Sequence, residues 1–550
     1  MKKYLPKNLL FLPLGGSGEI GMNCNLFHID NQWIMVDLGI TFNNGDTNAY
    51  DIIMPNIEFL FEENIKLSAL ILTHAHEDHI GAVPYLFKKI GKVPIYTSPF
   101  TASVLKRKFI SEGILDYDIK ILKYNNELKI GSFSIQIFCM THSIPEPNAV
   151  LIKTKKGNIF HTGDWKIDPN PLVGKPICSI ELQKFVDCGI DVMICDSTNV
   201  FDFHESGSEG DVRENLKKIF SKIKKGKIVI TCFASNIARI ESILKVASEN
   251  NKCCLMLGRS INRIYESAIE NNYLKNFNNI VSEKESKIIP EDNLVVICTG
   301  SQGEERAALS RLVRGNHKFL NLSVNDTVIF SSREIPGNEK RINDVKARVM
   351  KIGSVLLDHT NSKVHVSGHP SKKELKQMYN WIKPKLLIPT HGEYRHLDEH
   401  ISFAKECGVK SQLLVENGDL VQLDNDIEKR VISKVISGRS VLKGNKIISI
   451  NNKLLNEVNI ISSDGQIFVN LIMDLDNNLL TDPVIFCPSI LLDNDNKDEI
   501  KKFLAEEVAK LSDQSIDDNV LSDEIKIRLR NLLKKKIGLK PLTIIEIVRI

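Results

Sequence analysis

The sequence predicts an α/β protein in which one layered domain is interrupted by a second. Three observations predict this. Metal-competent histidines and aspartates follow several apolar, strand-like runs. A stretch of about 160 residues without such residues alternates strands and helices. The chain from about residue 448 carries short strands and helices of its own. Layered α/β folds gather ligands at the carboxyl ends of strands, so the first pattern indicates function as well as fold.

Composition is typical of a globular protein with several domains. At 550 residues the chain exceeds the size of one ordinary core, so two to four domains are expected. Its 42% hydrophobic and 25% charged residues are usual for globular chains. The net charge of +4 neither proves nor excludes a nucleic-acid partner, because a groove can be basic while the whole molecule is nearly neutral.

The cysteines and the amino terminus indicate a cytoplasmic protein. Eleven cysteines without CxxC pairs are typical of reduced thiols in a cytosolic protein. The start, MKKYLPKNLLFLPLGG, reaches proline and glycine quickly and lacks a small-residue cleavage site, so it predicts a first strand rather than a signal peptide. No segment approaches the ~20 apolar residues of a membrane span, and no membrane partner is expected.

The most informative segment is Thr73–His79, which reads THAHEDH. It follows the apolar run Leu67–Leu72 and precedes Gly81–Ile90, which has helical spacing. Four metal-competent side chains share this loop: His74, His76, Asp78 and His79. They would carry a large desolvation cost unless something bound them. A polar turn that happens to hold histidines is the alternative, but the pattern favours a metal site.

Three distant residues extend this ligand set. Each follows an apolar run: His142 in CMTHSIPEP, Asp164 in HTGDW and His391 in IPTHGEYRH. Any one alone is more readily an ordinary histidine or a capping aspartate. Together with the septet they give seven ligands, the number for two metals that share one carboxylate, whereas a single zinc takes three or four.

The positions of these ligands divide the chain. Six of the seven fall in residues 1–204, and the seventh follows runs such as KIVIT, CCLMLG and NLVVICTGS, each leading into a helical segment. This rhythm predicts an inserted, mainly parallel sheet with right-handed crossovers. The predicted segments are 1–204 and 363–423 for the metal domain, 205–362 for the insertion, 424–447 for a linker and 448–550 for a C-terminal domain of short strands, two helices and a final strand.

The ligand series resembles that of the metallo-β-lactamase superfamily. HAHEDH, His142, the Gly163–Asp164 pair and His391 match its motifs in order. Asp37, in WIMVDLG, matches the superfamily's first aspartate, which supports the metal loop from behind the ligands. The resemblance implies an αββα sandwich with two zinc ions. In the division it implies, one zinc is held by His74, His76 and His142 and the other by Asp78, His79 and His391, with Asp164 as the bridge.

Further motifs resemble the β-CASP group of nucleic-acid-processing members. Asp196 in CDSTN resembles motif A, His369 in HVSGHPS resembles motif B, and His391 doubles as motif C. The segments GGSGEIGMN, TGSQGEERAAL and SREIPGNE are similar to those of the bacterial ribonuclease J family. The resemblance covers nearly the whole chain. One local departure is residues 370–372 (PSK) after motif B, which leaves the ligands intact.

The resemblance implies a zinc-dependent ribonuclease that hydrolyses RNA phosphodiester bonds through a metal-activated water. It implies 5′–3′ exonuclease activity in RNA processing and decay; the balance with endonuclease activity is left open. Single-stranded RNA with a 5′-monophosphate is the expected partner, manganese or magnesium could also support activity, and the C-terminal domain is expected to form a homodimer or homotetramer. Asp78, Asp196 and His369 are the candidate catalytic residues. A structural histidine at a tight SGH turn is the alternative for His369.

Several loops are candidates for binding RNA phosphates. The loop at Ser301 is expected to open a helix, whose N-terminal amides favour phosphate. The other candidates are Ser332, Arg333, His365, Ser367, Gly368 and His369. Arginines that are expected to line an RNA channel, although any single one is more often a solvated surface charge, are Arg239, Arg259, Arg263, Arg306, Arg311 and Arg314.

Other functions fit less well. A small thioester or lactam substrate would not need the insertion with motifs A and B. A non-catalytic RNA-binding scaffold would be expected to have lost ligands, whereas Asp78, His79 and Asp164 are all present. A β-CASP nuclease for DNA or for RNA 3′-end processing is the nearest alternative.

Overall fold

The structure is a computed structural model that describes residues 7–43, 50–335, 337–425, 428–490, 494–512 and 517–550. Residues 1–6 of the predicted first strand, residue 336 of SREIPGNE and residues 426–427 of the predicted linker lie outside these ranges. The chain divides into two compact units. The larger comprises Met1–Asn44 and Ile53–Arg439, and the smaller comprises Gly45–Ile52 and Ser440–Ile550.

The larger unit begins with a strand-rich region. Its strands are β1 (Leu10–Gly15), β2 (Ser17–Gly18), β3 (Cys24–Ile29), β4 (Gln32–Val36), β5 (Thr41–Phe42), β6 (Ile52–Pro55), β7 (Leu67–Ile71), β8 (Ile95–Thr97), β9 (Ile119–Ile121), β10 (Leu128–Ile130), β11 (Phe133–Cys139), β12 (Asn148–Thr154), β13 (Gly157–His161) and β14 (Val192–Asp196). Its helices are α1 (Glu58–Glu62), α2 (Glu77–Ile80), α3 (Val83–Ile90), α4 (Pro99–Ser111) and α5 (Ser179–Phe185).

Strands and helices then alternate over the predicted insertion and its return. The insertion contains α6 (Glu209–Lys222), β15 (Ile228–Thr231), α7 (Ile237–Glu249), β16 (Cys253–Leu257), α8 (Arg259–Glu270), β17 (Ile280–Val281), two short 3₁₀ helices (Glu285–Ile288 and Glu291–Asn293), β18 (Leu294–Cys298), α9 (Ala308–Val313), β19 (Thr327–Phe330), α10 (Glu339–Ile352) and β20 (Val355–Leu357). The returning chain forms α11 (Lys372–Ile382), β21 (Leu386–Thr390), β22 (Gly392–Glu393), α12 (Tyr394–Glu406), β23 (Ser411–Gln412), β24 (Asp419–Gln422) and β25 (Arg430–Lys434).

Two sheets face each other across the core that carries the ligands. The first has the order β25-β24-β1-β3-β4-β7-β8-β9, and the second has the order β10-β11-β12-β13-β14-β21-β23. Phe27 and Ile34 of the first sheet share a hydrophobic cluster with Ile152 and Ile388 of the second. The outer face of the second sheet is covered by α5, α11 and α12. These layers confirm the α/β metallo-β-lactamase fold class.

The chain leaves the second sheet after β14, forms the insertion, and returns to the sheet at β21, the neighbour of β14. β14 and β21 pair in parallel, with Asp196 beside Thr390, although the whole insertion separates them in sequence. Within the insertion, six strands form one sheet in the order β17-β16-β18-β15-β19-β20, and every pairing is parallel. The sequence rhythm predicted this parallel sheet. Its position explains how two distant motifs meet at one sheet edge.

The segment 424–447, predicted to be a linker, contains regular structure. β25 extends the first sheet by pairing antiparallel with β24. Two further strands follow, β26 (Arg439–Lys443) and β27 (Lys446–Ser449), and they pair antiparallel with each other. The linker prediction rested on the absence of long apolar runs. Short edge strands need no such runs, because only one of their faces is buried.

The smaller unit is an α/β layer. After β27 it contains α13 (Lys453–Asp464), β28 (Gln466–Met473), β29 (Val484–Phe486), α14 (Asn494–Ser512), α15 (Asp518–Ile537) and β30 (Leu542–Arg549). β28 pairs antiparallel with β29 and parallel with β30, and Leu504 and Leu529 of the helices pack on Leu471. Two helices were predicted here, and α13 is a third. No helix within the described ranges is long and apolar enough to cross a membrane.

Candidate metal centre

The septet forms the loop after β7 and the first three residues of α2, and the Asp37 carboxylate supports it through hydrogen bonds. The Asp37 carboxylate accepts hydrogen bonds from Thr73 N (2.8 Å), Thr73 Oγ1 (2.8 Å) and His79 Nδ1 (2.7 Å). Asp37 is fully buried and has a positive φ of 63°, which is rare for a residue with a side chain. This carboxylate fixes the ring of His79, so that its Nε2 atom is the one turned towards the other ligands.

The first group of candidate ligands consists of three histidines and one aspartate. His76 Nδ1 lies 3.0 Å from His74 Nε2 and 3.1 Å from His142 Nε2. Asp164 Oδ2 lies 3.8 Å from His74 Nε2 and 3.7 Å from His142 Nε2. The ligand atoms of these four residues all fall within 4.8 Å of one another. Four residues from three separate loops therefore converge on one point.

The three histidines of this group are held neutral and oriented. Burial lowers the pKa of His76 to about 4, and burial is also the main cause that holds the pKa values of His74 and His142 well below their usual range. His142 Nδ1 donates to the carbonyl oxygen of Gly368, which leaves its Nε2 lone pair facing the group. A Cβ at Gly368 would lie 2.8 Å from the His142 ring, so this approach requires glycine. Neutral imidazoles with a fixed tautomer are the usual ligand form.

The second group contains Asp78, His79, Asp164 and His391. His79 Nε2 lies 3.2 Å from Asp164 Oδ2, and His391 Nε2 lies 3.0 Å from Asp78 Oδ2. Burial on its own would lower the pKa values of His79 and His391. The surrounding carboxylates, with Asp164 the strongest for both rings, outweigh burial and raise these pKa values well above the usual range. Asp164 belongs to both groups.

A third group joins Asp196 and His369 to Asp164 and His391. His369 Nδ1 lies 2.7 Å from Asp196 Oδ2, and Asp196 is fully buried. Thr198, two residues beyond Asp196, hydrogen-bonds the ring of His391 through its hydroxyl, and its backbone N–H donates to Asp196 Oδ1 at 2.9 Å. The strand pairing of β14 with β21 makes these contacts possible.

The donor set fits zinc. In a tetrahedral site with Zn–N distances of about 2.0–2.1 Å, neighbouring ligand atoms are separated by about 3.3 Å. The histidine nitrogens of the first group, 3.0 and 3.1 Å apart, match that spacing. Neutral nitrogens with lone pairs facing each other at this distance call for a cation between them. No lysine or arginine forms an ion pair with Asp78, Asp164 or Asp196 among the described contacts, so the partners of these carboxylates are the histidine rings themselves.

The candidate phosphate-binding residues are spread over a wider region. Ser301 and Ser332 are buried, whereas Arg333 is exposed and lies 3.8 Å from Asp202. His365 is largely buried, and its Nδ1 atom has no hydrogen-bond partner among the described residues. Ser367 accepts from the backbone N–H of His369 and so shapes the turn that presents the His369 ring.

Two expectations about phosphate contacts are wrong. Ser301 does not open a helix, since α9 begins only at Ala308; Gly303, with φ 74°, turns the chain between them. Arg239 does not line a channel, because it is fully buried and paired with Glu209, 2.9 Å away. Arginine is usually exposed, so a buried pair was not expected from the sequence.

Sequence reasoning also missed residues that orient the ligands. Asn23 Nδ2 lies 3.1 Å from His79 Nε2, and Asn148 Nδ2 donates to Thr73 O at 2.9 Å. Thr73 and Thr198 bond ligand rings directly. The two threonines adjoin the ligand motifs, and Asn23 is the last residue of the GGSGEIGMN segment. These positions could have indicated from the sequence that the three residues contact the ligands. Asn148 carried no such signal.

Family models match three parts of the chain. Residues 18–138 match the metallo-beta-lactamase superfamily, and residues 225–349 match the family described as "Ribonuclease J, beta-CASP domain". Residues 359–412 match the family described as "Zn-dependent metallo-hydrolase RNA specificity domain". The matched regions contain the septet, most of the parallel sheet, and both His369 and His391.

Curated relatives cover most of the chain. A ribonuclease J of Sinorhizobium meliloti is 39% identical over 482 residues, covering 87% of this chain and 85% of the relative. A ribonuclease J of Synechocystis is 30% identical and covers 98% of this chain and 86% of its own length. A crystal structure of a protein of unknown function from Enterococcus faecalis V583 aligns with a TM-score of 0.54 at 16% identity, over 76% of this chain and 100% of that one. That last likeness concerns the fold alone.

Proposed function

This chain belongs to the ribonuclease J family and is a metal-dependent ribonuclease, and on that premise we propose that it uses two zinc ions to degrade single-stranded RNA from a 5′-monophosphorylated end. The observation that carries the proposal is Asp164. Its Oδ2 atom lies 3.7 Å from His142 Nε2 and 3.2 Å from His79 Nε2, and thus belongs to both ligand groups. A shared carboxylate is typical of two-metal hydrolases.

We assign three histidines to one zinc and three further residues to the other. His74, His76 and His142 would hold the first, and Asp78, His79 and His391 would hold the second, with Asp164 between them. Bound zinc would polarise the phosphoryl oxygens and lower the pKa of water towards neutrality. Manganese or magnesium is proposed as an alternative activator. Asp37 contributes by orienting His79 rather than by binding an ion.

We assign to His369 the role of donating a proton to the leaving 3′ oxygen. Burial opposes charge on its ring, but the Asp196 carboxylate, 2.7 Å away, outweighs burial and raises the pKa of His369 above the usual value. The raised pKa favours the protonated ring, which can donate a proton. Asp196 acts through this ring as a positioning residue. A general acid that is held in place in this way typically contributes 10²–10⁴-fold to the rate.

The 5′-monophosphate would be bound beside the His369 turn. His365 supports this assignment, because a buried imidazole nitrogen without a partner is costly unless a ligand supplies one. The buried hydroxyls of Ser301 and Ser332 and the exposed guanidinium of Arg333 would add donors, together with Ser367 and Gly368 of the same turn. A triphosphate adds bulk and charge at this position, so a preference for the monophosphate follows.

We further propose a cytoplasmic enzyme that assembles as a homodimer or homotetramer through the smaller unit. Its sheet exposes Phe486, Ile544 and Val548 on one face. Contiguous apolar side chains of this kind are typical of protein interfaces. The mass of the particle in solution would test this part of the proposal.

Asp78→Ala combined with His79→Ala tests the catalytic assignment. The purified zinc-loaded wild type is expected to degrade a 5′-monophosphorylated single-stranded RNA. The double variant is expected to lose at least 10³-fold in kcat, because it removes two of the three residues particular to the second zinc. Degradation products resolved by length would measure this. Undiminished degradation by the double variant would overturn the mechanism.

A matched control is Asp344→Ala combined with His317→Ala, which removes the same residue types from the insertion, where Asp344 is exposed and His317 is half-buried. This control should keep full activity. Parallel assays with 5′-triphosphorylated RNA, circular RNA and single-stranded DNA separate the possible activities. Cleavage of the circle would establish endonuclease activity, and efficient cleavage of DNA would favour another β-CASP nuclease. Wild type that binds RNA but cleaves none of these substrates would indicate a scaffold.

A further inference from the structure

Two exposed phenylalanines follow the metal centre directly along the chain. Phe201 is 46% exposed and Phe203 is 65% exposed. They lie in the loop after motif A, and we call this pair the aromatic platform. Exposing two large rings within three residues brings no folding benefit, because burial of each would stabilise the chain by roughly 1.5–3 kcal/mol. Their neighbour Val200 is fully buried, so the loop itself is well anchored.

Each ring of the platform is backed by cationic or aromatic groups. The Phe201 ring meets His396 edge-to-face at 5.1 Å between ring centres, and the Arg395 guanidinium lies 5.8 Å from it. The Lys372 ammonium lies 4.5 Å from the centre of the Phe203 ring. These contacts fix the rings from the protein side and leave much of their surface open to solvent. Arg395 is paired with Glu393, and Lys372 is paired with Glu399. We therefore assign these two cations to orienting the rings and not to binding a phosphate.

The platform adjoins the candidate metal centre. Thr198, which hydrogen-bonds the His391 ring, precedes Phe201 by three residues, and an extended chain of that length spans at most about 11 Å. Lys372 N donates to Asp202 O at 3.0 Å, and Ser367 N donates to Ser206 O at 3.2 Å. The loop thus packs along the segment that carries His369. A strand of RNA whose phosphate reaches His369 would pass within one or two nucleotides of the rings.

We propose that Phe201 and Phe203 stack against nucleobases of single-stranded RNA beside the scissile bond. This inference rests on the proposed ribonuclease function and adds a specific contact surface to it. Stacking suits an enzyme that degrades many sequences, since every base has a π face and stacking is tolerant of sequence. Unpaired bases can reach the rings, whereas bases inside a duplex cannot, so the platform also favours single strands over paired RNA.

Binding of a 5′-phosphorylated oligoadenylate in EDTA, which stops turnover, tests the platform. Phe201→Ala and Phe203→Ala are each expected to weaken binding about tenfold, within the range seen for removal of a stacking ring. Phe203→Trp should bind at least as well as the wild type, and Phe203→Leu should behave like the alanine variant. Because no phosphate contact is removed, the dependence of affinity on salt concentration should keep its slope. Equal affinity of all variants would overturn the proposal.

Two controls separate stacking from other roles. Phe61→Ala removes an exposed phenylalanine from α1 and should leave affinity unchanged. Helix α1 precedes the start of β7, whereas the metal loop follows its end. An oligonucleotide with abasic sites should bind the wild type and the Phe203→Ala variant equally. If the abasic strand still distinguishes them, the rings contact the backbone or a protein partner and the proposal is wrong. If the wild-type protein degrades RNA and the Phe201 and Phe203 variants bind RNA as tightly as it does, the aromatic platform is refuted and the proposed function is not. If the wild-type protein does not degrade RNA, the proposed function itself is refuted.

Discussion

Two buried polar clusters in the larger unit differ in how completely they are satisfied. In the insertion, the Arg239 guanidinium donates to both carboxylate oxygens of Glu209, to the hydroxyl and carbonyl oxygens of Ser331, and to Val364 O, all at 2.7–3.0 Å. In the metal centre, three neutral histidine nitrogens face one another and three carboxylates share no arginine or lysine partner among the described contacts. The first cluster is complete in itself, and the second is suited to hold a cation.

The difference shows how to separate structural from functional burial. A buried charge that finds all its hydrogen-bond partners within the chain locks elements together, as Arg239 does for α6, α7 and the end of β19. Converging acceptors without a donor or cation mark a place where a ligand completes the structure. His365 and His400 differ in the same way: His365 has an unpartnered ring nitrogen, whereas the ring nitrogens of His400 are bonded by Ser197 and Tyr379.

The largest expected effect on stability comes from breaking the complete cluster. Glu209→Gln leaves the buried Arg239 charge without its counterion and should lower the free energy of unfolding of the insertion by about 3–5 kcal/mol. Hydrogen exchange of amides in its parallel sheet would measure this, because a chain with several domains does not unfold in one step. Glu214→Gln, on the exposed face of the same helix, is the control and should cost less than about 1 kcal/mol. A loss of similar size in both variants would contradict the comparison.

Completing the second cluster should stabilise the protein by a smaller amount. Zinc at a hundredfold excess over its dissociation constant should add about 2.7 kcal/mol to the stability of the metal domain. The shift of the thermal midpoint on zinc addition would report it. His142→Ala should lose most of this shift, whereas Glu209→Gln should keep it, since its cluster binds no ion. An identical shift in His142→Ala would count against the assigned ligand group.

The smallest effect concerns pH. Hydrogen bonds and charge from Arg239 outweigh burial and lower the pKa of Glu209 below its ordinary 4.5. A carboxyl with a lowered folded pKa contributes stability that is present above the unfolded pKa and is lost as pH falls through the folded one. The stability difference between wild type and Glu209→Gln should therefore stay constant from pH 8 to about 5 and shrink below 4.5. A stability difference that grows as the pH falls would contradict this prediction.

The sequence predicted which polar residues converge better than it predicted their surroundings. Each candidate ligand follows an apolar strand, so the residue types and their order were enough to expect that these side chains meet. Arg239 and the strands of 424–447 were missed for a common reason. Burial of a charged side chain and pairing of an edge strand depend on distant partners, which local periodicity does not reveal. The helix expected at Ser301 begins only at Ala308, after the chain turns at Gly303, which has a positive φ.

The pairing of β14 with β21 has a consequence for synthesis. Asp196 meets Thr390 and His391 only after the whole insertion has been made, which takes roughly 10–40 s at the usual rate of translation. Until then the second ligand group lacks His391 and the His369 turn does not yet exist. The second candidate ligand group can therefore be completed only after at least 391 of the 550 residues have been synthesised.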